Sequence, residues 1–262
     1  MIPWIRRASD RLPDPRRALG PESEAPGLLA AGGALDPARL EEAYRQGVFP
    51  WYGEGQPVLW WSPDPRMVLL PAEFRLARSL RQTIRRFLRT AGCEIRVDFD
   101  CRAVLEACAG AARGRKTGDG DDGASTWIVP EMVDAYAAWH ARGRVHSVET
   151  WIGGELAGGL YGVSIGRMVF GESMFQRRTD ASKIALAYLV AFCRARGVAT
   201  IDCQQRTRHL ASFGGREIPR REFRARLDEA LGHADVEGWS YDAAHWRLLA
   251  VGGSSGARDE PT

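Results

Sequence analysis

The sequence predicts an α+β protein: an antiparallel or mixed sheet with flanking helices, preceded by a small N-terminal domain. Strand-like runs separated by short glycine turns lie in the second half of the chain, and this is the pattern of an antiparallel meander. Segments with apolar residues at the helical period precede and follow these runs. We expect a small domain over residues 1–70 that contains an aromatic-rich segment, a larger domain over 71–250, and a flexible tail over 251–262.

The composition excludes several classes of protein. The chain has 262 residues, of which 45% are hydrophobic and 26% charged, so it can bury a core and is not disordered as a whole. Its apolar run over residues 184–192 is far shorter than the ~20 residues of a spanning helix, so no membrane partner is expected. The N-terminus lacks the apolar stretch of a signal peptide, and the five cysteines contain no C-x-x-C pair. We therefore expect a cytoplasmic protein with no disulfide framework and no metal.

The first quarter of the chain contains one well-marked helix. The first 25 residues are rich in proline and arginine and predict an irregular leader. Asp36 is a good N-cap, Pro37 suits the first helical position, and Gly47 marks the end. The aromatic segment over residues 49–61 is interrupted by proline and glycine. It predicts extended stretches around turns, at the floor or lip of a cleft.

A second helical pattern, over residues 73–89, carries a concentrated positive charge. Apolar residues fill about a third of the helical wheel, and arginines fill the opposite side: Arg75, Arg78, Arg81, Arg85, Arg86 and Arg89. No acidic residue is interleaved, so pairs four residues apart cannot relieve the repulsion between like charges. The face is therefore either a solvated surface or a binding site for a polyanion.

The remaining elements follow in a simple order. The patterns predict helices over residues 100–112 and from Pro130 to Gly143, with a Gly/Asp-rich loop between them. The later elements are strands over 145–152, 155–166 and 167–175, a helix capped by Thr179 or Asp180 and ended by Gly197, a strand over 198–205, and a helix over 220–231.

The order helix, three antiparallel strands, helix, strand, helix is that of GNAT-type acyltransferase domains. An enzyme of this type that uses acetyl-CoA needs a glycine-rich turn before the helix that follows the third strand, because that turn holds the pyrophosphate. Here the turn reads MFQRRTDASK over residues 174–183, with no glycine and with Asp180 near the position of a phosphate. We expect an acyl-transfer architecture that does not use CoA.

Polar side chains end an otherwise apolar strand at Ile201-Asp202-Cys203-Gln204. The two-residue period of a strand puts Asp202 and Gln204 on one face, and Glu172 on a neighbouring strand adds a second acid to the region. The two residues form either a satisfied structural pair or a site for a cationic or N–H-rich ligand. His209 is the only histidine near them in the sequence, and Cys203 faces the other way, so covalent catalysis is disfavoured.

A series of motifs between residues 12 and 227 resembles the leucyl/phenylalanyl-tRNA–protein transferase family, in that family's order. The motifs are GVFPWY, VLWWSPDPR, TWI, AYAAWH, VHSVETW, GGLYGV, FGESMF, DASKIAL, IDCQ, HLASFGG and IPRREF. The resemblance implies an aminoacyltransferase of the bacterial N-degron pathway. Such an enzyme moves Leu or Phe (Met less well) from Leu-tRNA or Phe-tRNA to the α-amino group of proteins with N-terminal Arg or Lys, and it uses no cofactor and no metal.

The resemblance also assigns roles to residues. It implies that Trp51 and Trp127 stack on the 3′-terminal adenosine of the tRNA. Catalytic roles fall to Asp202 and Gln204, which together with Glu172 hold the incoming N-terminal residue. The tRNA-binding residues are Arg78, Arg81, Arg85 and Arg86, and the apolar pocket for the aminoacyl side chain is placed at Leu160, Val169, Leu186, Leu189 and Ile201. Met or Phe is typical of the family at three of these pocket positions (160, 169 and 189), so the preference between Leu and Phe stays open.

Two other classes of function remain: a CoA-dependent N-acyltransferase and a tRNA-binding module without catalysis. The missing pyrophosphate turn argues against the first, and the polar cluster around Asp202 argues against the second. An aminoacyl ester is already activated, so the enzyme must mainly align two reactants and exclude water. Either the amide carbonyl of Gln204 orients the amine while Asp202 positions or polarises it and a tRNA ribose hydroxyl relays the proton, or Asp202 takes the proton directly.

Overall fold

The computed structural model describes residues 2–114 and 128–251 of the chain, which form two β-sheets with packed helices. The strands are β1 (Trp4–Ile5), β2 (Leu28–Gly32), β3 (Phe49–Pro50), β4 (Leu59–Trp61), β5 (Arg66–Leu69), β6 (Cys93–Val97), β7 (Val145–Ile152), β8 (Glu155–Ile165), β9 (Met168–Gln176), β10 (Thr200–Asp202) and β11 (Arg216–Ile218). The α-helices are α1 (Pro37–Arg45), α2 (Arg78–Phe87), α3 (Cys101–Gly114), α4 (Pro130–His140), α5 (Ala181–Arg196), α6 (Arg208–Ser212) and α7 (Arg220–Leu231). Three 3₁₀ turns lie at Pro15–Arg17, Pro71–Glu73 and Ala243–Leu249. The predicted α+β class is confirmed.

The smaller sheet has the strand order β1-β2-β4-β3. Strand β1 pairs in parallel with β2, Ala31 donates its backbone N–H to the carbonyl of Pro3 (3.0 Å), and Ile5 is buried. The prediction of an irregular leader was therefore wrong at this point. A strand of two residues has no periodicity of its own, and only its pairing partner reveals it.

Helix α1 follows its sequence signals. The carboxylate of Asp36 accepts hydrogen bonds from the backbone N–H groups of Ala38 and Arg39 (both 2.9 Å), and Pro37 occupies the first helical position. These contacts satisfy two N–H groups that would otherwise lack partners at the start of the helix. The buried face of α1 carries Leu40 and Tyr44, as its apolar spacing predicted.

Helix α2 begins later than predicted, at Arg78 rather than Glu73. The backbone N–H of Arg75 donates to the carbonyl of Phe213 (2.8 Å), and the rings of Phe74 and Phe213 stack with centroids 5.5 Å apart. Tertiary contacts therefore hold the preceding segment in an extended conformation. From Arg78 onward the helix has the amphipathic character that the sequence indicated, with Leu80, Ile84 and Phe87 buried.

The larger sheet has the order β11-β5-β10-β9-β8-β7-β6. Strands β6 to β9 form an antiparallel meander, β10 pairs in parallel with β9, and β5 pairs antiparallel with both β10 and β11. The three predicted meander strands and the helices α3, α4, α5 and α7 are confirmed within a few residues. Strand β10 is shorter than predicted. Asp180 occupies the N-cap position of α5, but its carboxylate binds the Lys183 ammonium (2.7 Å) and accepts no backbone N–H of the helix.

Helices cover both faces of the larger sheet. Helix α5, α2 and the turn at Ala243–Leu249 build a core on one face, and α1, α3, α4 and α7 build a core with the smaller sheet on the other. Because successive side chains of a strand alternate, Leu160 joins the first core and Tyr161 the second. Within the described ranges no helix is long and apolar enough to cross a membrane.

The sheet opens between β9 and β10, and this opening is called the β9–β10 gap below. Their pairing ends at Phe170 and Asp202, while β9 continues along β8 to Gln176. The chain after Asp202 follows β5 instead: Cys203 donates its backbone N–H to the carbonyl of Met67 (2.9 Å). Partly exposed side chains of β9 therefore line one side of the gap, and residues 203 and 204 line the other.

Candidate active site

The β9–β10 gap brings Glu172 and Gln204 together. The side-chain amide nitrogen Nε2 of Gln204 donates to the carboxylate oxygen Oε1 of Glu172 (3.1 Å), and both side chains are half-buried. Gln204 has a left-handed backbone (φ 54°), so the strand alternation that predicted its direction does not apply to it. Its backbone N–H donates to Oδ1 of Asp202 (3.0 Å). The three predicted polar residues therefore form one connected set.

The carboxylate of Asp202 is paired with an arginine of the same chain. Its carboxylate accepts two hydrogen bonds from Arg66, at 2.7 Å from Nε and 2.6 Å from Nη2, and the two side chains are 0% and 1% exposed. The sequence left open a cationic ligand for Asp202, and in the structure Arg66 supplies a cation from within the protein. Reasoning from the sequence missed Arg66. A lone charge in the apolar run Arg66–Leu70 was the available signal, since a buried charge needs a partner.

Arg66 is held on three sides. Its guanidinium lies 4.8 Å from the ring centre of Phe49 and 4.5 Å from that of Phe223, both within the range of cation–π attraction. Its Nη1 donates to the carbonyl of Gly47 (3.2 Å) at the end of α1. These contacts hold Arg66 and therefore its partner Asp202 in place. Asp202 in turn accepts a hydrogen bond from the backbone N–H of Gln204 and so fixes the backbone there.

Glu172 lies against two buried tyrosines. The hydroxyls of Tyr44 on α1 and Tyr136 on α4 are 2.6 Å apart, and both lie near enough to the Glu172 carboxyl to lower its pKa. Burial and the charge of Asp202 raise the pKa of Glu172 to about 8, although Tyr44, Arg66 and Tyr136 oppose the shift. Glu172 therefore exchanges a proton near neutral pH. Reasoning from the sequence missed both tyrosines as residues of the site, because their approach joins helices far apart in the chain.

The five residues of the predicted apolar pocket lie together on the other face of the sheet. Strands β8, β9 and β10 supply Leu160, Val169 and Ile201, and α5 supplies Leu186 and Leu189. All five side chains are at most 4% exposed, so they pack within the core on the α5 face. Glu172 lies on the opposite face, near Tyr44 and Tyr136.

The aromatic segment lies beside a cleft, as predicted. The cleft has a volume of about 1010 Å³, and its lining includes Tyr52, Gln56, Val129 and Glu131. Trp51 precedes this lining and is half-buried. Its ring packs edge-on against that of Trp61 at 5.3 Å, and its carbonyl accepts the indole N–H of Trp61 (2.6 Å). Trp127 lies outside the described residues.

The four predicted tRNA-binding arginines project from α2 away from its buried face. Arg78, Arg85 and Arg86 are exposed and Arg81 is half-buried. The Nε of Arg81 is buried without a hydrogen-bond partner among the described residues, and Arg85 donates only to the carbonyl of Ala250 (3.1 Å). No carboxylate in the described part of the chain forms an ion pair with any of the four. Their charge is available to a polyanion.

Residues 2–114 and 128–251 contain no candidate metal site. Nowhere in these ranges do three His, Cys, Asp or Glu side chains converge so that they could hold an ion.

Comparison with known proteins identifies the class and then the family. A family model described as "Leucyl/phenylalanyl-tRNA protein transferase" matches residues 68–228, and the model of that family's N-terminal domain matches residues 33–64. These matches place the chain among the aminoacyltransferases. The chain belongs to the leucyl/phenylalanyl-tRNA–protein transferase family.

Curated relatives agree over nearly the whole length. The leucyl/phenylalanyl-tRNA–protein transferase of Methylibium petroleiphilum is 57% identical over 96% of this chain and 92% of its own. That of Leptothrix cholodnii is 57% identical over 95% of both chains, and that of Burkholderia vietnamiensis is 52% identical over 98% and 97%. A solved structure of a conserved protein of unknown function from Bacteroides thetaiotaomicron covers 63% of this chain and 55% of its own, at 10% identity and a TM-score of 0.38.

Proposed function

We propose that this chain transfers Leu or Phe, and Met less well, from charged tRNA to the α-amino group of proteins with N-terminal Arg or Lys. The modified proteins are thereby marked for degradation in a bacterial N-degron pathway in the cytoplasm. The observation that carries the proposal is the Glu172–Gln204 pair, 3.1 Å apart at an opening in the sheet whose other face carries an apolar cluster. A carboxyl group and an amide suit an amine, and the apolar cluster suits an aminoacyl side chain.

The architecture in this proposal is a GNAT-like domain over residues 71–250 behind a small domain over 1–70, with a tail over 251–262. The meander β7–β9, helix α5, and β10 in parallel with β9 support it. Asp180 at the start of α5 disfavours CoA: its carboxylate lies where a pyrophosphate would need N–H donors. The donor is then an aminoacyl ester of tRNA.

The acceptor binds through Glu172 and Gln204, which are the partly exposed members of the polar set. Asp202 acts on the acceptor through Gln204, because its own carboxylate is paired with Arg66. The amide carbonyl of Gln204 accepts a hydrogen bond from the α-amine and orients it. An α-amine has a reference pKa of about 7.7–8.0, so a reactive neutral fraction exists at neutral pH.

The donor binds through three separate surfaces. Trp51 and Trp127 stack on the terminal adenosine, a contact worth about 1–3 kcal/mol per base. The tRNA acceptor stem lies along α2, where the four arginines meet its phosphates. The aminoacyl side chain enters the β9–β10 gap and contacts the cluster formed by Leu160, Val169, Leu186, Leu189 and Ile201. Enclosure there aligns the ester with the amine and excludes water.

One experiment tests the reaction against its alternatives. The purified chain is incubated with tRNA charged with radiolabelled leucine and with matched peptides that begin with Arg, Ala or Asp. We expect label on the Arg peptide only. Equal labelling of all three peptides contradicts the acceptor assignment, binding of tRNA without transfer supports a non-catalytic module, and acetylation of the Arg peptide by acetyl-CoA supports the CoA-dependent class.

A further inference from the structure

The buried pair Tyr44–Tyr136 has no role in the reaction described so far. The two side chains come from α1 and α4, are 0% exposed, and have hydroxyl oxygens 2.6 Å apart. Burial raises the pKa of both phenols well above 10, so both stay protonated. Two hydroxyls carry two protons. One lies between the tyrosines, and the other, beside Glu172, is not used by their contact.

Glu172 is also the carboxyl of the polar set that a substrate can reach. The Asp202 carboxylate is 0% exposed and saturated by Arg66 and by the N–H of Gln204. Glu172 is half-buried at the gap, where Gln204 and the tyrosine pair hold it in place. An amine that enters the gap and hydrogen-bonds Gln204 therefore contacts the Glu172 carboxyl.

We propose that Glu172 is a catalytic residue, the base that takes the proton of the acceptor α-ammonium, and that Tyr44 and Tyr136 are its positioning residues. This inference rests on the proposed function. In the step, an N–H proton moves to the carboxylate, and the freed electron pair forms a bond to the ester carbonyl carbon. The bond from that carbon to the ribose oxygen then breaks. The leaving oxygen takes the second proton that nitrogen loses as the amide forms, and Glu172 later returns its proton to water.

The proton affinity of the Glu172 carboxylate supports the role that its position indicates. The pKa of Glu172, about 8, matches the α-amine at about 7.7–8.0, so the transfer is nearly balanced. A carboxylate with its ordinary pKa of about 4.3 would accept the same proton over a thousandfold less favourably. The titratable and charged groups that face Glu172 are Tyr44 on α1, Tyr136 on α4, Tyr161 on β8, Asp202 on β10 and Arg66 on β5. Burial outweighs their combined effect and raises the pKa.

The test is the pH dependence of single-turnover transfer from Leu-tRNA to saturating Arg-ended peptide. For Glu172→Gln we expect a loss of about 100-fold or more at pH 7, the size of a general-base contribution. The deficit must shrink above pH 8, because the amine then loses its proton without help. A deficit of the same size at every pH, or a defect confined to KM, overturns the proposal because it indicates binding or packing alone.

The tyrosines provide a second readout and a matched control. Tyr136→Phe and Tyr44→Phe each remove a hydroxyl that lowers the pKa of Glu172, so the inflection of the pH–rate profile should move upward. Tyr188→Phe is the control: its hydroxyl lies in the core on the α5 face, where it accepts the backbone N–H of Asp242 (2.7 Å) and has no interaction with Glu172. Its profile should match the wild type. Identical profiles for all three variants overturn the positioning role, whereas a wild-type chain that transfers nothing to the Arg peptide at any pH defeats the proposed function itself.

Discussion

The ion pair between Arg66 and Asp202 makes the most direct quantitative prediction. Replacing Arg66 with Met preserves much of the side-chain volume but leaves a carboxylate that is 0% exposed without its two charge-assisted hydrogen bonds of 2.6 and 2.7 Å. Breaking a buried pair by removing one partner costs about 3–5 kcal/mol. We therefore expect Arg66→Met to lower the free energy of unfolding by an amount in this range.

The double variant Arg66→Met/Asp202→Leu separates stability from activity. Replacing both partners by apolar residues removes the unpaired charge, and such replacements are neutral or stabilising by about 1–4 kcal/mol. Its stability should therefore return to the wild-type level or above. Leu cannot accept the backbone N–H of Gln204, so Gln204 loses a hydrogen bond that holds its left-handed conformation. Transfer to the Arg peptide should stay low although the protein is folded.

Urea unfolding followed by tryptophan fluorescence measures these free energies by linear extrapolation. Arg102→Met is the matched control, because Arg102 pairs with Glu106 and Asp134 on the surface and an exposed ion pair adds little stability. A loss below about 1 kcal/mol for Arg66→Met would contradict the reasoning, since that is the size of a surface pair. Wild-type transfer by the double variant would show that the pair has no part in positioning Gln204.

Three further predictions concern the tRNA surface and Glu172. Replacing Arg81 and Arg85 by Gln should weaken tRNA binding and lower the slope of log K against log salt by about one for each phosphate that is no longer bound; use of an aminoacyl-adenosine without the stem should not change. Trp51→Ala and Trp127→Ala should each weaken the use of aminoacyl-tRNA by about 10-fold, from the loss of 1–3 kcal/mol of stacking; a large drop in Tm with unchanged affinity would instead indicate core residues. The pKa of Glu172 is raised from 4.5 to about 8, so the folded protein loses stability as pH rises through this window, by up to about 1.4 kcal/mol per pH unit. Glu172→Gln should abolish that slope in urea titrations at several pH values.

Local signals in the sequence were sufficient to predict the regular secondary-structure elements and part of the candidate site. Asp36 and Pro37 mark the start of α1 because a capping side chain and its helix are adjacent in the chain. The meander follows from alternation and glycine turns. Glu172 and Gln204 were expected near each other because they belong to neighbouring strands, and the structure places their side chains in contact.

The remaining contacts of the site join distant parts of the chain. Arg66 and Asp202 are 136 residues apart, and Tyr44 and Tyr136 are 92 residues apart. No periodicity relates such positions, and each of the four residue types is ordinary within its own element. The late start of α2 has the same origin, since Phe213 holds the preceding segment by contacts that arise only after folding. Sequence reasoning identified the polar side chains of the candidate site and missed the residues that contact them.

The aromatic enclosure of Arg66 is complete only when α7, the last α-helix of the described chain, has packed. One aromatic ring around its guanidinium belongs to Phe49 in the smaller sheet, and the other belongs to Phe223 in α7, near the end of the described chain. During synthesis the carboxylate of Asp202 and its arginine emerge before α7 does, so the pair lacks one wall until residue 223 has folded onto it. A chain cut before α7 would therefore retain the exposed arginines of α2, while Arg66 and the Asp202 carboxylate that accepts the Gln204 N–H would lack the support of Phe223.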